Sequence, residues 1–286
     1  MKRAGLAATA LLLAGGQLAL VWLAPSYALA RPQQVAGMLP LILLLALPAA
    51  AALAASYRLG FSVGVVIPAL NEAEALPKVL AAIPGWADTV VVADNGSTDA
   101  TAAVASDLGA RVVHVPVRGY GRACLTGIAE LRGSADIIVF LDGDASDQPS
   151  EMAALVDPIA TGAASLVIGS RTLGQREQGS LTPQQIFGNA LACHLIRLFW
   201  GQHTTDLGPF RAIRRDALDK LAMADPDYGW TVEMQVRAAK RGLIATEVPV
   251  SYRRRIGRSK VSGTVRGAIG AGTKILYIIA REAIGR

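Results

Sequence analysis

The stretch Ile137-Ile138-Val139-Phe140-Leu141-Asp142-Gly143-Asp144 decides how this chain is read. Its five consecutive apolar residues lack helical periodicity, which marks a strand buried on both faces, as in a parallel sheet. The run ends in two aspartates one residue apart, so the carboxylates stand at the strand's C-terminal end. In an open α/β sheet that end is where ligands bind. Two carboxylates at this spacing can hold a hard divalent cation that also takes phosphate oxygens.

Working outward, the same alternation recurs on both sides. Ser62 to Pro68 is a β-rich run closed by proline, and Asn71-Glu72-Ala73-Glu74 opens a helical pattern to about Ile83. Thr89 to Ala93 is a second strand, ending in Asp94-Asn95-Gly96-Ser97-Thr98-Asp99, where Asn-Gly makes a turn and Ser97 or Thr98 can cap a helix. Ala110 to Val115 is a third strand, before Gly119-Tyr120-Gly121-Arg122 and a helix to about Leu131. Beyond the aspartates come a helix from Pro149 to Ala160, a strand from Ala164 to Arg171 and a polar loop from Thr172 to Pro183. A helix from about Gln184 to Trp200, one leading from Tyr228 to near Gly242 and a last strand from Thr246 to Tyr252 complete the domain. Alternating strands and helices predict an α/β fold with a mostly parallel sheet over residues 61–260. Four strand ends, at Asn71-Glu72, Asp94, Asp142/Asp144 and Arg171, then face one crevice.

The chain's ends differ in character. Apolar residues make up 52% of the sequence, concentrated at the start, and no charge occurs from Ala4 to Ala30 or from Pro32 to Tyr57. Each run is long enough to cross a bilayer, which predicts membrane segments at about 4–24 and 35–57. Lys2-Arg3 and Ala28-Leu29-Ala30 imitate a cleavable secretory signal, though the apolar part is longer than a signal core. Both readings return residue 58 onward to the cytoplasmic side. From Phe61 to Ser150 there are eleven acidic and five basic residues, and from Arg211 to the end sixteen basic and seven acidic. The acidic half suits a metal, and the basic half suits phosphates or an anionic membrane surface. Arg266, Lys274 and Arg281 fall on one side of an apolar helix in 261–286, predicting an amphipathic surface helix. Cys124 and Cys193, far apart within predicted helices, read as core thiols.

No Gly-x-Gly-x-x-Gly follows the first strand and no phosphate-loop sequence occurs, which disfavours hydride chemistry and a phosphate-loop NTPase. Val65 to Glu72, Asp94 to Asp99, Gly119 to Ala123, Leu141 to Asp144 and Gly169-Ser170-Arg171 together resemble a family 2 glycosyltransferase of the GT-A (nucleotide-diphospho-sugar transferase) fold. Thr205 to Arg211 and Glu247 to Lys260 are similar to the branch containing dolichyl-phosphate mannose synthase and polyprenyl-phosphate glycosyltransferases. The Gln-x-x-Arg-Trp run of processive synthases is absent from the sequence.

The resemblance implies transfer of a hexose from UDP or GDP to dolichyl or undecaprenyl phosphate, with a membrane rather than nucleic acid as partner. It implies a donor-binding set of Pro68, Asn71, Glu72, Asp94, Gly96, Ser97, Asp142 and Gly143, with Asp94 near the base, and Mg²⁺ or Mn²⁺ on Asp142 and Asp144. Asp144, Arg171, Asp206, Arg255 and Lys260 form the implied catalytic set, the basic residues facing the diphosphate or the acceptor phosphate. The branch commonly reads Asp-x-Asp-x-Gln before a proline, whereas this chain has one more residue before Pro149. That leaves the third ligand open among Ser146, Asp147, Gln148 and water. A phosphate acceptor is already an anion and needs no strong base. An alcohol acceptor would need one, for which Asp206 or Glu233 are the expected residues. Alternatives with the same fold are transfer to a soluble acceptor and a catalytically silent nucleotide-sugar binding module. His203 reads as a solvated loop residue, and His114 and His194 have no partner visible in the sequence.

Overall fold

The computed structural model describes residues 51, 53–257 and 265–285, in two units, residues 1–61 and 62–286. In the first unit residues 53–58 are helical, and the remainder of the expected membrane segments lies outside the described residues. Among the described residues no helix is long and apolar enough to cross a membrane.

The second unit is built on a seven-stranded sheet, in the order β3-β2-β1-β4-β6-β5-β7. The strands are β1 (Val63–Ala69), β2 (Thr89–Asp94), β3 (Arg111–His114), β4 (Ile137–Phe140), β5 (Leu166–Ser170), β6 (Arg211–Arg214) and β7 (Ala245–Pro249). All neighbours are parallel except that β6 runs antiparallel to both β4 and β5. Every residue of β1, β4 and β5 is buried, which is why their sequences show continuous apolar runs rather than alternation. The helices are α1 (Leu76–Ala82), α2 (Thr101–Asp107), α3 (Tyr120–Glu130), α4 (Met152–Ala160), α5 (Pro183–Trp200), α6 (Arg215–Leu221), α7 (Trp230–Lys240) and α8 (Val265–Ile284).

Three differences from the sequence expectation bear on the site. β6 reads Arg-Ala-Ile-Arg, too short and too charged to signal a strand, yet it stands mid-sheet with the Arg211 side chain fully buried. Because it is antiparallel, its first residue pairs with Phe140 and Ile168, so the loop before it arrives at the C-terminal ends of β4 and β5. The helix expected from Asn71 starts at Leu76, because Asn71 has a positive φ of 53° and residues 71–75 turn instead. The last strand leaves the sheet after Pro249, and Tyr252 instead bridges to Asp147 and Arg176.

A second apolar cluster joins α5, α7 and α8 through Ala192, Cys193, Ile196, Val232, Val236, Ile278 and Ile279. Both cysteines are buried free thiols. Lys274 pairs with Asp225 at 2.9 Å and Arg281 with Glu233 at 3.3 Å, so two cations of α8 dock the helix onto protein carboxylates. Leu276, Tyr277 and Ile284 of the same helix are exposed.

Candidate active site

The C-terminal ends of β1, β4 and β5 open into a cleft of about 980 Å³. Of the residues expected from sequence, Pro68, Asn71, Glu72, Asp142, Gly143, Asp144, Arg171 and Arg255 line it. Asp94, Gly96, Ser97 and Asp206 do not, and Lys260 lies outside the described residues.

On the acidic side, Asp142 accepts a 3.0 Å hydrogen bond from the Tyr120 hydroxyl. Burial, and then the charge of Asp144, push the Asp142 carboxyl up to about 7. Asp144 Oδ1 accepts from both the N–H and the hydroxyl of Ser146. Burial and the neighbouring Asp142 likewise hold the Asp147 carboxyl well above the ordinary range. Three carboxylates this close repel each other, and a cation relieves that repulsion.

The loop also narrows the third-ligand alternatives. Ser146 is spent on Asp144, and the Gln148 amide turns to Ser150 at 3.1 Å. Asp147 uses Oδ2 for the Asp142 N–H, while its buried Oδ1 has no hydrogen-bond partner among the described residues. Among the described residues no cluster of three or more His, Cys, Asp or Glu forms a closed metal cage. Two carboxylates opening on a cleft fit a divalent cation that completes its shell with substrate phosphates and water.

The basic side is built by the antiparallel insertion. Asp206, in the loop before β6, grips Arg171 through Nε at 2.8 Å, Nη2 at 2.6 Å and the backbone N–H at 2.7 Å. Burial would lower the Arg171 pKa, but the bonds to Asp206 raise it on balance, so the guanidinium stays charged. Its far face lies 5.0 Å from the centre of the Tyr252 ring. The Asp206 loop is itself held by Glu247, which accepts the Thr205 and Asp206 N–H groups, and by Gln235 and Asn189. Buried Arg211 caps the Leu207 and Gly208 carbonyls. Arg255 reaches Glu72 at 3.0 Å and Asp144 at 3.1 Å.

These contacts place the two acids expected to serve an alcohol acceptor. Asp206 is 1% exposed, with both carboxylate oxygens bonded to Arg171. Glu233 is 0% exposed and does not line the cleft: it accepts the Ala224 and Asp225 N–H groups and pairs with Arg237 and Arg281.

The nucleoside end differs in detail from the expected set. Asp94 accepts the Ser97 N–H and contacts His114 Nδ1 at 3.1 Å, shaping the turn from behind the cleft. Asn71 receives the Thr98 N–H and donates its own N–H to Ser97, stitching the first two strand ends together. Asn95 lines the cleft instead of Asp94, and its side chain accepts the Gly119 N–H. Gly119 and Gly121 admit the backbone of residues 225–226: a Cβ at either would lie 2.3 Å from the Pro226 oxygen or 2.0 Å from the Asp225 oxygen. Tyr120 is thereby aimed at Asp142. Tyr120 and Tyr252 lie within the motifs, but nothing local in the sequence marks a task for their side chains. Glu247, Gln235 and Asn189 carried no local signal, because they act on a loop remote in sequence.

Comparison with known proteins places this geometry. Residues 64–222 match the family model described as glycosyl transferase family 2. An uncharacterized glycosyltransferase of Mycobacterium tuberculosis is 40% identical, covering 73% of this chain and 94% of that protein. The undecaprenyl-phosphate mannosyltransferase of Micrococcus luteus is 33% identical, covering 71% and 88%. Among solved structures, glucosyl-3-phosphoglycerate synthase from Mycobacterium tuberculosis, in complex with Mn²⁺, UDP-glucose and phosphoglyceric acid, superposes with a TM-score of 0.65 at 27% identity. It covers 82% of this chain and 83% of that one.

Proposed function

The chain belongs to glycosyl transferase family 2, and from that premise we propose that it transfers a hexose from UDP or GDP to a polyprenyl phosphate. The reaction inverts the anomeric carbon and takes place at the cytoplasmic face of the cell membrane. The two uncharged N-terminal runs and the likeness to an undecaprenyl-phosphate mannosyltransferase support that location and acceptor.

The observation that carries the acceptor assignment is the locking of Asp206 onto Arg171. An alcohol acceptor needs a base, and the carboxylate best placed in sequence to be one is spent holding a cation. Two other acids of the cleft are also engaged: Asp142 with Tyr120, and Asp227 with the Tyr120 N–H. A phosphate brings its own anionic oxygen, since its second pKa is near 6. Arg171 then orients that oxygen or stabilises charge developing on the diphosphate, at no cost of reorganisation. A divalent cation on Asp142 and Asp144, Mg²⁺ or Mn²⁺, would neutralise the diphosphate leaving group. Asn71, Asn95 and Pro68 form the wall against which the nucleoside lies.

A second reading, transfer to a soluble phosphorylated acceptor, is favoured by the likeness to glucosyl-3-phosphoglycerate synthase. One assay separates the two. The full-length protein in membranes is given Mn²⁺, undecaprenyl phosphate and radiolabelled UDP- or GDP-hexoses. Label in an organic-extractable, mild-acid-labile lipid is expected, and label confined to a water-soluble product overturns the polyprenyl-phosphate acceptor.

A further inference from the structure

We propose that Arg255 is a resident counter-ion for the metal carboxylate, competing with the divalent cation for Asp144 and released to the phosphate side when the cation binds. The inference rests on the assignment of Asp142 and Asp144 to a divalent cation made above.

Three observations carry it. The first is the use of Asp144's oxygens: Oδ1 accepts from Ser146 twice, and Oδ2 lies 3.1 Å from Arg255 Nη2. A cation reaching Oδ2 meets the guanidinium there, and two positive charges do not share one carboxylate oxygen without repulsion. The Asp144 and Glu72 side chains are each 7% exposed, so they need a counter-charge, and Arg255 at 30% supplies it from the solvent side.

The second is the unfinished bonding of Arg255. Its Nη2 reaches both acids, yet its buried Nε has no hydrogen-bond partner among the described residues. An arginine fully committed to a structural role fills its donors, as Arg211 does with three backbone carbonyls. A spare donor beside the cleft suits an arginine that exchanges carboxylates for phosphate oxygens, which match its planar fork.

The third is a backbone seam between the two loops. Tyr252 bridges to Asp147, the Arg253 N–H donates to Ser146 O, and the Ile256 N–H donates to Asp144 O, both at 2.9 Å. The segment carrying Arg255 is therefore bonded along the metal loop itself, whose Ala145 has a positive φ of 62°. Displacement of Arg255 from Asp144 is felt directly by that segment. The cation then adds before the phosphate that Arg255 receives, because Arg255 is free for phosphate only after Asp144 is taken.

The test measures Mn²⁺ binding without nucleotide, by electron paramagnetic resonance of free Mn²⁺, on the full-length protein and on R255Q. Removing the competitor should tighten Mn²⁺ binding by about fivefold, the modest scale of a partly exposed ion pair. A second measurement needs no variant: phenylglyoxal modification of Arg255 in the wild type, followed by peptide mass spectrometry, should accelerate when Mn²⁺ is added, while that of Arg171 stays unchanged. Equal or weaker Mn²⁺ binding by R255Q, or Arg255 labelling indifferent to Mn²⁺, overturns the counter-ion role and leaves the metal assignment standing. Absence of Mn²⁺ binding by both proteins even with UDP present overturns the metal assignment and the counter-ion role together.

Discussion

Asp206 holds Arg171 through three hydrogen bonds of 2.6–2.8 Å, joining the loop before β6 to the residue that follows β5, its antiparallel neighbour. The pair sets one charged wall of the cleft. Replacing the carboxylate removes the partner of a largely buried guanidinium, so D206N should cost about 3 kcal/mol of stability. Misplacement of Arg171 should lower kcat about 100-fold. A positioning role leaves the acid-side limb of the kcat pH profile in place; loss of that limb in D206N would instead identify Asp206 as a base.

Tyr120 fixes the orientation of Asp142 from the far side of the cleft, through its hydroxyl. Y120F keeps the ring packing and removes that bond. Partners of metal ligands typically tune affinity by 10–100-fold, and about tenfold weaker Mn²⁺ binding is expected here. Titration of Mn²⁺ in the presence of UDP, with the melting temperature as a folding control, checks it.

Gly121 meets the Asp225 carbonyl so closely that a Cβ would sit 2.0 Å from the oxygen. G121A should therefore destabilise by about 2 kcal/mol or more through forced backbone movement. Gly85, where a Cβ meets nothing within 4 Å, supplies the control, and G85A should change stability by less than about 0.5 kcal/mol. Urea denaturation of the two variants measures the contrast.

Glu282 anchors the end of α8 to Lys240 of α7 at 3.0 Å and also pairs with its chain neighbour Arg281 at 2.8 Å. Burial would raise its pKa, but hydrogen bonds from Lys240 and Arg281 outweigh burial and lower it from 4.5 to about 2. A depressed carboxyl contributes stability that is complete above its unfolded pKa and fades as pH falls toward the folded one. E282Q should accordingly melt below the wild type at pH 7, with the gap closing between pH 4.5 and about 2. A gap independent of pH would show that the charge of Glu282 contributes nothing.

Much of the site was legible because its residues sit at strand ends, where apolar runs break into charge. Asn71-Glu72, Asp142-Gly143-Asp144 and Arg171 all announce themselves this way, and all line the cleft. Asp94 carries the same signal yet is spent on the Ser97 N–H and His114, and the next residue, Asn95, lines the cleft instead. β6 was hidden because its burial is achieved by arginine, whose charge is satisfied by the carbonyls of the loop it supports. Periodicity detects apolar burial and has no access to a buried cation.

Local sequence encodes the α/β class, the mostly parallel sheet, the paired aspartates at a strand end and the split between acidic and basic halves. Each of these is written in local patterns: runs of apolar residues, their interruptions and the signs of nearby charges. Only the tertiary structure decided which acids are free and which are spent. Asp206, Glu233 and Asp147 are all simply acidic in the sequence, but one is clamped on Arg171, one accepts backbone N–H groups, and one keeps an oxygen with no partner among the described residues, beside Asp142 and Asp144. The reactivity of a carboxylate depends on its partners across space, and a strand inserted antiparallel into the sheet chooses those partners.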